Sequence, residues 1–195
     1  RKIWSYSVLR ILKSIDHTGE WQDPKGRGNL IWGDARKQIA TIPRSLNFDL
    51  IFHDAFSPSK CPELWSEEFL HILAKKLAPN GRFITYSSSA AIRGSLKRAG
   101  LELNSLVPTN SKENRWSSGT LAIRSSQDNP IENNSTTWKP LSEMEKEHLL
   151  TSAGIPYRDP KGCSSANEII NRRRIEQENC NLQSTSSWKK RWDNT

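Results

Sequence analysis

The amino-acid sequence predicts an α/β fold, with a partly parallel sheet between helices, an antiparallel hairpin at the sheet edge, and a helical extension after it. Three observations predict this. Strand-like and helix-like runs alternate from residue 29 to residue 100, the pattern of βαβ units, in which each parallel strand needs a crossover helix to bring the chain back. The two β-rich runs that come next, "LELNSLVP" and "SGTLAIRSS", have no helix between them, so they are expected to pair antiparallel. From about residue 126 the texture becomes the polar "SSQDNPIENNSTTWKP", and the remainder of the chain has too few apolar side chains to build a core of its own. The expected organisation is residues 1–125 as the α/β domain, 126–140 as a linker, and 141–195 as a helical, partly irregular extension that wraps the domain or lies loose.

Each element has its own justification. In "RKIWSYSVLRILKSI", Ile3, Trp4, Val8, Ile11, Leu12 and Ile15 recur at helical spacing, which predicts an amphipathic helix. It lacks the small-residue cleavage site of a signal peptide. The Gly-, Pro- and charge-rich "DHTGEWQDPKGRG" (16–28) reads as a connection, and "NLIWGDARKQIATIP" as a short strand, a turn and a helix stopped by Pro43. Phe48 to His53 is the next strand. "WSEEFLHILAKKLAPNG" (65–81) is a helix with Ser66 as N-cap and Glu67 and Glu68 in its first turn. Leu70, Leu73 and Leu77 form its apolar face, Lys75 and Lys76 lie near its end, and Pro-Asn-Gly stops it. "RFITYSS" is a strand and "SAAIRGSLKRAG" a helix closed by Gly100. In the extension, Ser142 with Glu145 and Ser165 with Glu168 have the spacing of capping boxes. The first of these helices ends at Gly154, and the second carries "NRRR".

Composition narrows the function. No run approaches the roughly 18 apolar residues of a membrane span. Cys61, Cys163 and Cys180 form no CxxC pair and lie near no His at zinc-ligand spacing, so a reducing, cytosolic setting without a metal centre is expected. The net charge of +8 is uneven: residues 1–129 hold 19 Lys or Arg against 12 Asp or Glu, and residues 130–195 hold 10 against 9. A surplus localised in this way favours a polyanionic partner such as nucleic acid.

In open α/β sheets ligands bind beyond the carboxyl ends of the strands, which would put Asp34, Asp54 and Ser87 to Ser89 on one rim. Asp34 and Asp54 suit a paired-carboxylate site, and they equally suit helix N-caps and loop anchors. His17, His53, His71 and His148 are scattered, and His53, between Phe52 and Asp54, is expected to face a helix layer. Neither GxxxxGKS nor GxGxxG occurs, which argues against an intact phosphate-cradling loop. Trp188 and Trp192 flank "KKR", an arrangement suited to stacking on bases and equally to anchoring the tail.

The stretch "LIWGDARKQIATIPRSLNFDLIFHDAFSPSKCPELWSEEFLHILAKKLAPNGRFITYSSSAAIRGSLKRAGL" resembles the methyltransferase half of MnmC and its stand-alone MnmD-type relatives. The resemblance covers roughly residues 29–125. Its most specific part is the loop where Asp54, Phe56, Pro58, Lys60, Pro62 and Trp65 match the family pattern D-G-F-A-P-x-K-x-P-x-x-W, with Ala55 and Ser57 departing from it. The tail looks like that of the stand-alone, cyanobacterial-type members and not like the FAD-dependent oxidase half.

The resemblance implies a class I, Rossmann-like methyltransferase sheet of order 3-2-1-4-5-7-6, with "NLIWGD" as strand 3, "DLIFHD" as 4, "FITYSS" as 5 and the closing pair as 6 and 7. It implies S-adenosyl-L-methionine as cofactor and methylation of the amine of 5-aminomethyl(-2-thio)uridine at the wobble position of tRNA. Asp34 and Ala35 would lie at the adenine, and Asp54 near the transferring methyl and the substrate amine as catalytic residue. Phe56, Pro58 and Lys60 would shape the pocket for a flipped uridine, with Trp65 as packing support. Lys60, Arg93, Lys97 and Arg98 would meet phosphates of the anticodon arm.

The sequence also departs from the family. The glycine-rich loop after strand 1 and the acidic residue ending strand 2 are absent, and Arg1 falls in the helix after strand 2. The sheet is therefore expected to be incomplete, with strand 3 loose or improperly paired unless strands 1 and 2 lie upstream, and S-adenosyl-L-methionine binding by these 195 residues is expected to be weak. Two other readings stand beside this one: a non-catalytic RNA-binding remnant, and a class I methyltransferase acting on another amine or small molecule.

Overall fold

A computed structural model describes residues 4–107, 118–126 and 136–193. The chain divides into two compact units, Arg1–Ile42 and Pro43–Thr195.

In the first unit, α1 (Tyr6–Thr18) begins at Ser5, whose side chain accepts from the Val8 N–H, and ends at Gly19 in the left-handed conformation (φ 74°). Val8, Ile11 and Ile15 are half-buried, while Trp4 and Leu12 are exposed. The stretch read as a connection forms an antiparallel hairpin, β1 (Glu20–Asp23) and β2 (Gly26–Asn29). Asp23 Oδ1 closes the turn by accepting from the Lys25 and Gly26 N–H groups at 2.8 and 3.0 Å. The glycines that suggested a loop make room for Trp21, since a Cβ on Gly28 would lie 2.2 Å from Trp21 Nε1.

The expected strand "NLIWGD" does not form. Asn29 ends β2, and Leu30, Ile31 and Trp32 carry no strand pairing and are exposed. An apolar run becomes a strand only where a neighbouring strand takes its backbone hydrogen bonds, and none does so here among the described residues. Helix α2 (Ala35–Gln38) comes next, continues as a 3₁₀ turn at Ile39–Thr41, and stops before Pro43.

The second unit holds a five-stranded sheet of β3 (Phe48–His53), β4 (Leu77–Thr85), β5 (Glu102–Leu106), β6 (Thr120–Ile123) and β7 (Trp138–Pro140), in the order β3-β4-β6-β5-β7. Strands β3 and β4 are parallel and the other pairs antiparallel. The first four reproduce the 4-5-7-6 half of the expected order. Strand β7 was not expected, because it comes from the stretch read as linker, of which residues 127–135 lie outside the described residues. It pairs through Leu106↔Trp138, and Trp138 joins the buried cluster of Leu121 and Ile123.

Helix α3 (Glu67–Lys75) crosses from β3 to β4 and α4 (Ala90–Arg98) comes after β4. Ser66 caps α3 as expected, accepting from the Phe69 N–H. The helix is shorter than predicted, because Leu77 to Gly81 already belong to β4. Pro79 has no N–H to give a helix, Asn80 sits at φ 61°, and the register slips between Phe48↔Leu77 and Leu50↔Arg82. Gly81 permits this irregularity, since a Cβ there would meet Ala78 O and Phe48 O at 2.8 and 2.9 Å.

The sheet face carrying His53, Phe83 and Ala122 is buried together with Trp65, Phe69, Leu70, Ile92 and Leu96. Successive strand residues point to opposite faces, so Leu50 and Phe52 lie on the other side, where they are exposed.

The extension wraps this unit. Both capping boxes form, at α5 (Glu143–His148) and α6 (Ala166–Asn179), and the 3₁₀ turn at Ser152–Gly154 comes after the first. Ser66 bridges Tyr157, and the Glu67 N–H donates to Tyr157 O at 2.8 Å. A further helix, α7 (Thr185–Asp193), buries Trp188, which stacks on His148 with ring centroids 4.3 Å apart. Trp192 Nε1 donates to Glu147 Oε2 at 3.0 Å. Of the two uses open to these tryptophans, anchoring is the one the structure displays.

Candidate active site

Parallel pairing brings the ends of β3 and β4 side by side, with His53 opposite Thr85, so Asp54 and Tyr86 leave the sheet at the same edge. Asp54 is exposed. His53 turns the other way, into an aromatic enclosure with Trp65 at 4.5 Å, Phe83 at 5.5 Å and Phe69 at 6.2 Å between ring centroids. Burial pushes its pKa down to about 4, against the opposing effects of a Leu64 backbone hydrogen bond and the Asp54 charge. It faces the helix layer, as its place in the strand implied, and takes no position at the exposed edge.

The loop after Asp54 folds back on itself. The Lys60 and Cys61 N–H groups donate to Ser57 O at 2.8 and 2.9 Å, and Pro62 opens the 3₁₀ turn Pro62–Trp65. Pro58 and Pro62 fix their own φ and restrict the residue before them. Trp65 has no exposed surface, and its Nε1 donates to Phe56 O at 2.6 Å. The Phe56 side chain is 78% exposed, and Lys60 is also exposed. Tyr86, which sequence reasoning missed, donates from its hydroxyl to Ala55 O at 2.9 Å. Partial burial and the nearby Asp54 charge raise its pKa. Its only mark in the sequence is an aromatic residue ending the apolar run "FITY".

Trp65 lies behind the loop, in the place of the packing support expected of it. One expected substrate contact is corrected by burial. Arg93 is 3% exposed. Its Nε donates to Thr120 Oγ1 at 2.8 Å, Nη1 to Glu145 Oε1 at 2.9 Å, and Nη2 to Ser105 Oγ and Gly119 O at 3.2 and 3.1 Å. The guanidinium is enclosed between α4, the sheet and α5, and cannot meet an RNA phosphate. Burial opposes the charge on Glu145, but hydrogen bonds from Ser105, the Ser142 backbone and Arg93 hold its carboxyl below the usual range. Of the other cations expected at phosphates, Lys97 is exposed and Arg98 pairs with Glu67.

The serines after β4 are part of the frame. Ser87 is buried, its carbonyl accepts from Thr120 Oγ1 at 2.7 Å, and its Oγ accepts from the Ser89 N–H at 3.3 Å.

Asp34 belongs to the first unit and Asp54 to the second. Asp34 is the N-cap of α2, accepting from the Arg36 N–H at 3.0 Å. Arg36 also grips the carboxylate through Nε and Nη2, the latter at 2.8 Å from Oδ2. The Arg36 hydrogen bond is the main reason its pKa lies below the ordinary carboxylate value. Ala35 is the first residue of the helix that Asp34 caps. Among the described residues no group of three or more His, Cys, Asp or Glu is placed to hold a metal ion, and no helix is long and apolar enough to cross a membrane.

Comparison with known proteins gives this edge a family. A family model of S-adenosyl-L-methionine-dependent methyltransferases matches residues 2–118. The chain is 31% identical over 153 residues to the uncharacterized protein MJ0670 of Methanocaldococcus jannaschii, a match spanning 77% of this chain and 38% of that protein. It is 38% identical over 74 residues to the tRNA 5-methylaminomethyl-2-thiouridine biosynthesis bifunctional protein MnmC of Azoarcus sp., covering 38% of this chain and 11% of that one. Among solved structures it resembles MnmC2 from Aquifex aeolicus with a TM-score of 0.71 at 29% identity, over 87% of this chain and 51% of that one. The chain thus spans well under half the length of these two curated relatives. It belongs to the S-adenosyl-L-methionine-dependent methyltransferase family and carries a methyltransferase domain similar to that of MnmC.

Proposed function

We propose that the chain is part of an enzyme that methylates the amine of 5-aminomethyl(-2-thio)uridine at the wobble position of tRNA. The observation that carries this reading is the exposed Asp54 at the end of β3, followed by a loop whose Ala55 and Phe56 carbonyls are tied back into the protein. The name of one relative, for 5-methylaminomethyl-2-thiouridine biosynthesis in tRNA, supports the choice of substrate.

The residues at this edge fit the methyl-transferring end of S-adenosyl-L-methionine. An exposed carboxylate beside an exposed aromatic ring is a favourable setting for cationic groups such as a sulfonium and an ammonium. When bound, the cofactor supplies a methyl group on positively charged sulfur. Asp54 accepts a hydrogen bond from the substrate amine, orients its lone pair and stabilises the charge that develops on nitrogen. Phe56 offers a face on which the uridine base stacks, Pro58 stiffens the wall, and Lys60 with Lys97 meets phosphates of the anticodon arm. Asp34 and Ala35 are proposed as adenine contacts from the family resemblance alone, since Arg36 already takes the Asp34 carboxylate.

The test is nucleoside mass analysis of tRNA after incubation of the protein in its natural full length with S-adenosyl-L-methionine. A methyl group on the wobble aminomethyl nucleoside is expected, and methylation elsewhere or none at all would overturn the reading. Asp54→Asn should lose methylation while tRNA binding persists.

A further inference from the structure

Two consecutive peptide carbonyls, those of Ala55 and Phe56, are each bound by an aromatic side chain from a different element. Tyr86 supplies its hydroxyl from the end of β4, at 2.9 Å. Trp65 supplies its indole N–H from the 3₁₀ turn before α3, at 2.6 Å. The two rings brace one another edge to face, with centroids 5.8 Å apart and planes at 83°. Trp65 is in turn packed edge-on against His53, the residue preceding Asp54.

Both ends of the short segment that carries Asp54 are thus held from behind. In front, among the described residues, nothing comparable holds it, since Asp54 and Phe56 are exposed, Phe56 to 78%. A loop left to itself would turn an exposed Phe ring inward, because burying apolar surface is favourable. Here the backbone bonds set the direction of the peptide planes and the side chains follow.

We propose that Tyr86 is a positioning residue for the reaction, fixing the Ala55 peptide plane, and with it the aim of the Asp54 carboxylate, through its hydroxyl. Trp65 does the same one residue further on, but it is also core, whereas Tyr86 is 47% exposed and little packing is lost when only its hydroxyl is removed. The role in reaction rests on the wobble-uridine reading, and the bracing itself does not.

The test is Tyr86→Phe in the natural full-length protein, which keeps the ring against Trp65 and deletes only the hydroxyl. Hydrogen exchange of the amides of residues 54–57 is expected to speed up about fivefold, the equivalent of one neutral hydrogen bond, while amides of α3 and β4 keep their rates. Turnover is expected to fall about tenfold through misalignment, with KM for tRNA and for S-adenosyl-L-methionine unchanged. Wild-type exchange at residues 54–57 would overturn the bracing, and faster exchange spread over β3, β4 and α3 would reduce Tyr86 to a structural residue. Faster local exchange with undiminished turnover would remove the positioning role. A wild-type protein that methylates no tRNA would overturn the wobble-uridine reading and the reaction role with it, and the exchange measurement would still decide the bracing.

Discussion

The His53 imidazole makes the stability of the second unit depend on pH, and the size of the effect comes from its surroundings. It is 8% exposed, enclosed by Trp65, Phe69 and Phe83, and its pKa is pushed down from 6.5 to about 4. The folded pKa is the lower of the two, so the contribution is complete above pH 6.5. As pH falls below that value the unfolded chain binds a proton that the folded chain refuses, and stability drops by about 1.4 kcal/mol per pH unit. The loss ends near pH 4, where the folded protein also takes the proton. The whole window is worth roughly 3 kcal/mol. Denaturant titrations between pH 8 and pH 5 therefore show a falling midpoint in the wild type, to which His148, also depressed by burial, adds. His53→Phe removes the His53 share, roughly 2 kcal/mol between pH 6.5 and 5, leaving a shallower dependence whatever its stability at pH 8. The imidazole resonances of His53 should stay unshifted from pH 8 to pH 5. A variant with the wild-type pH dependence, or an imidazole that titrates near 6.5, would refute the claim that desolvation governs this residue.

Two further outcomes are expected. Glu145→Gln leaves the Arg93 charge buried without its counter-ion and should cost about 3–5 kcal/mol in denaturant unfolding, whereas replacing both residues with Met should recover much of that loss. Calorimetric titration of residues 1–195 with S-adenosyl-L-methionine should show no micromolar affinity, because the sequence has no glycine-rich loop of the GxGxxG type and the Asp34 carboxylate is already engaged by Arg36.

Elements whose cause is local were legible in the sequence. The caps at Ser66, Ser142 and Ser165 and the glycine after α4 depend on groups within four residues of the atoms they satisfy, side chains for the serines and the left-handed backbone for Gly100, and all four were placed correctly. The exit of Asp54 from the sheet was equally legible, since a period-two strand ending at His53 must turn one of the pair inward and the other outward. Strand β7 and the failed strand at "NLIWGD" were not, because pairing depends on which backbone lies alongside. Trp138–Pro140 is too short and polar to announce itself as a strand, yet it finds the edge of β5. Leu30–Trp32 has the apolar content and pairs with no strand among the described residues.

Arg93 shows the same limit at the level of the site. Read along α4, an arginine following "SAAI" and preceding "GSLKR" belongs to a basic helix near the strand ends, and phosphate binding is the natural inference. Its fate is decided by Glu145, 52 residues later, a residue whose local signal was only that of a capping box. Glu145 performs both tasks, one carboxylate oxygen taking the Ser142 N–H at 2.9 Å and the other taking Arg93 and Ser105 at 2.9 and 2.6 Å. The cap of α5 is thereby joined to the charge of α4, so the extension is bound to the methyltransferase sheet by an ion pair that is costly to break on one side. Burial thereby takes Arg93 out of the basic surplus of residues 1–129, whereas Lys60 and Lys97 remain exposed.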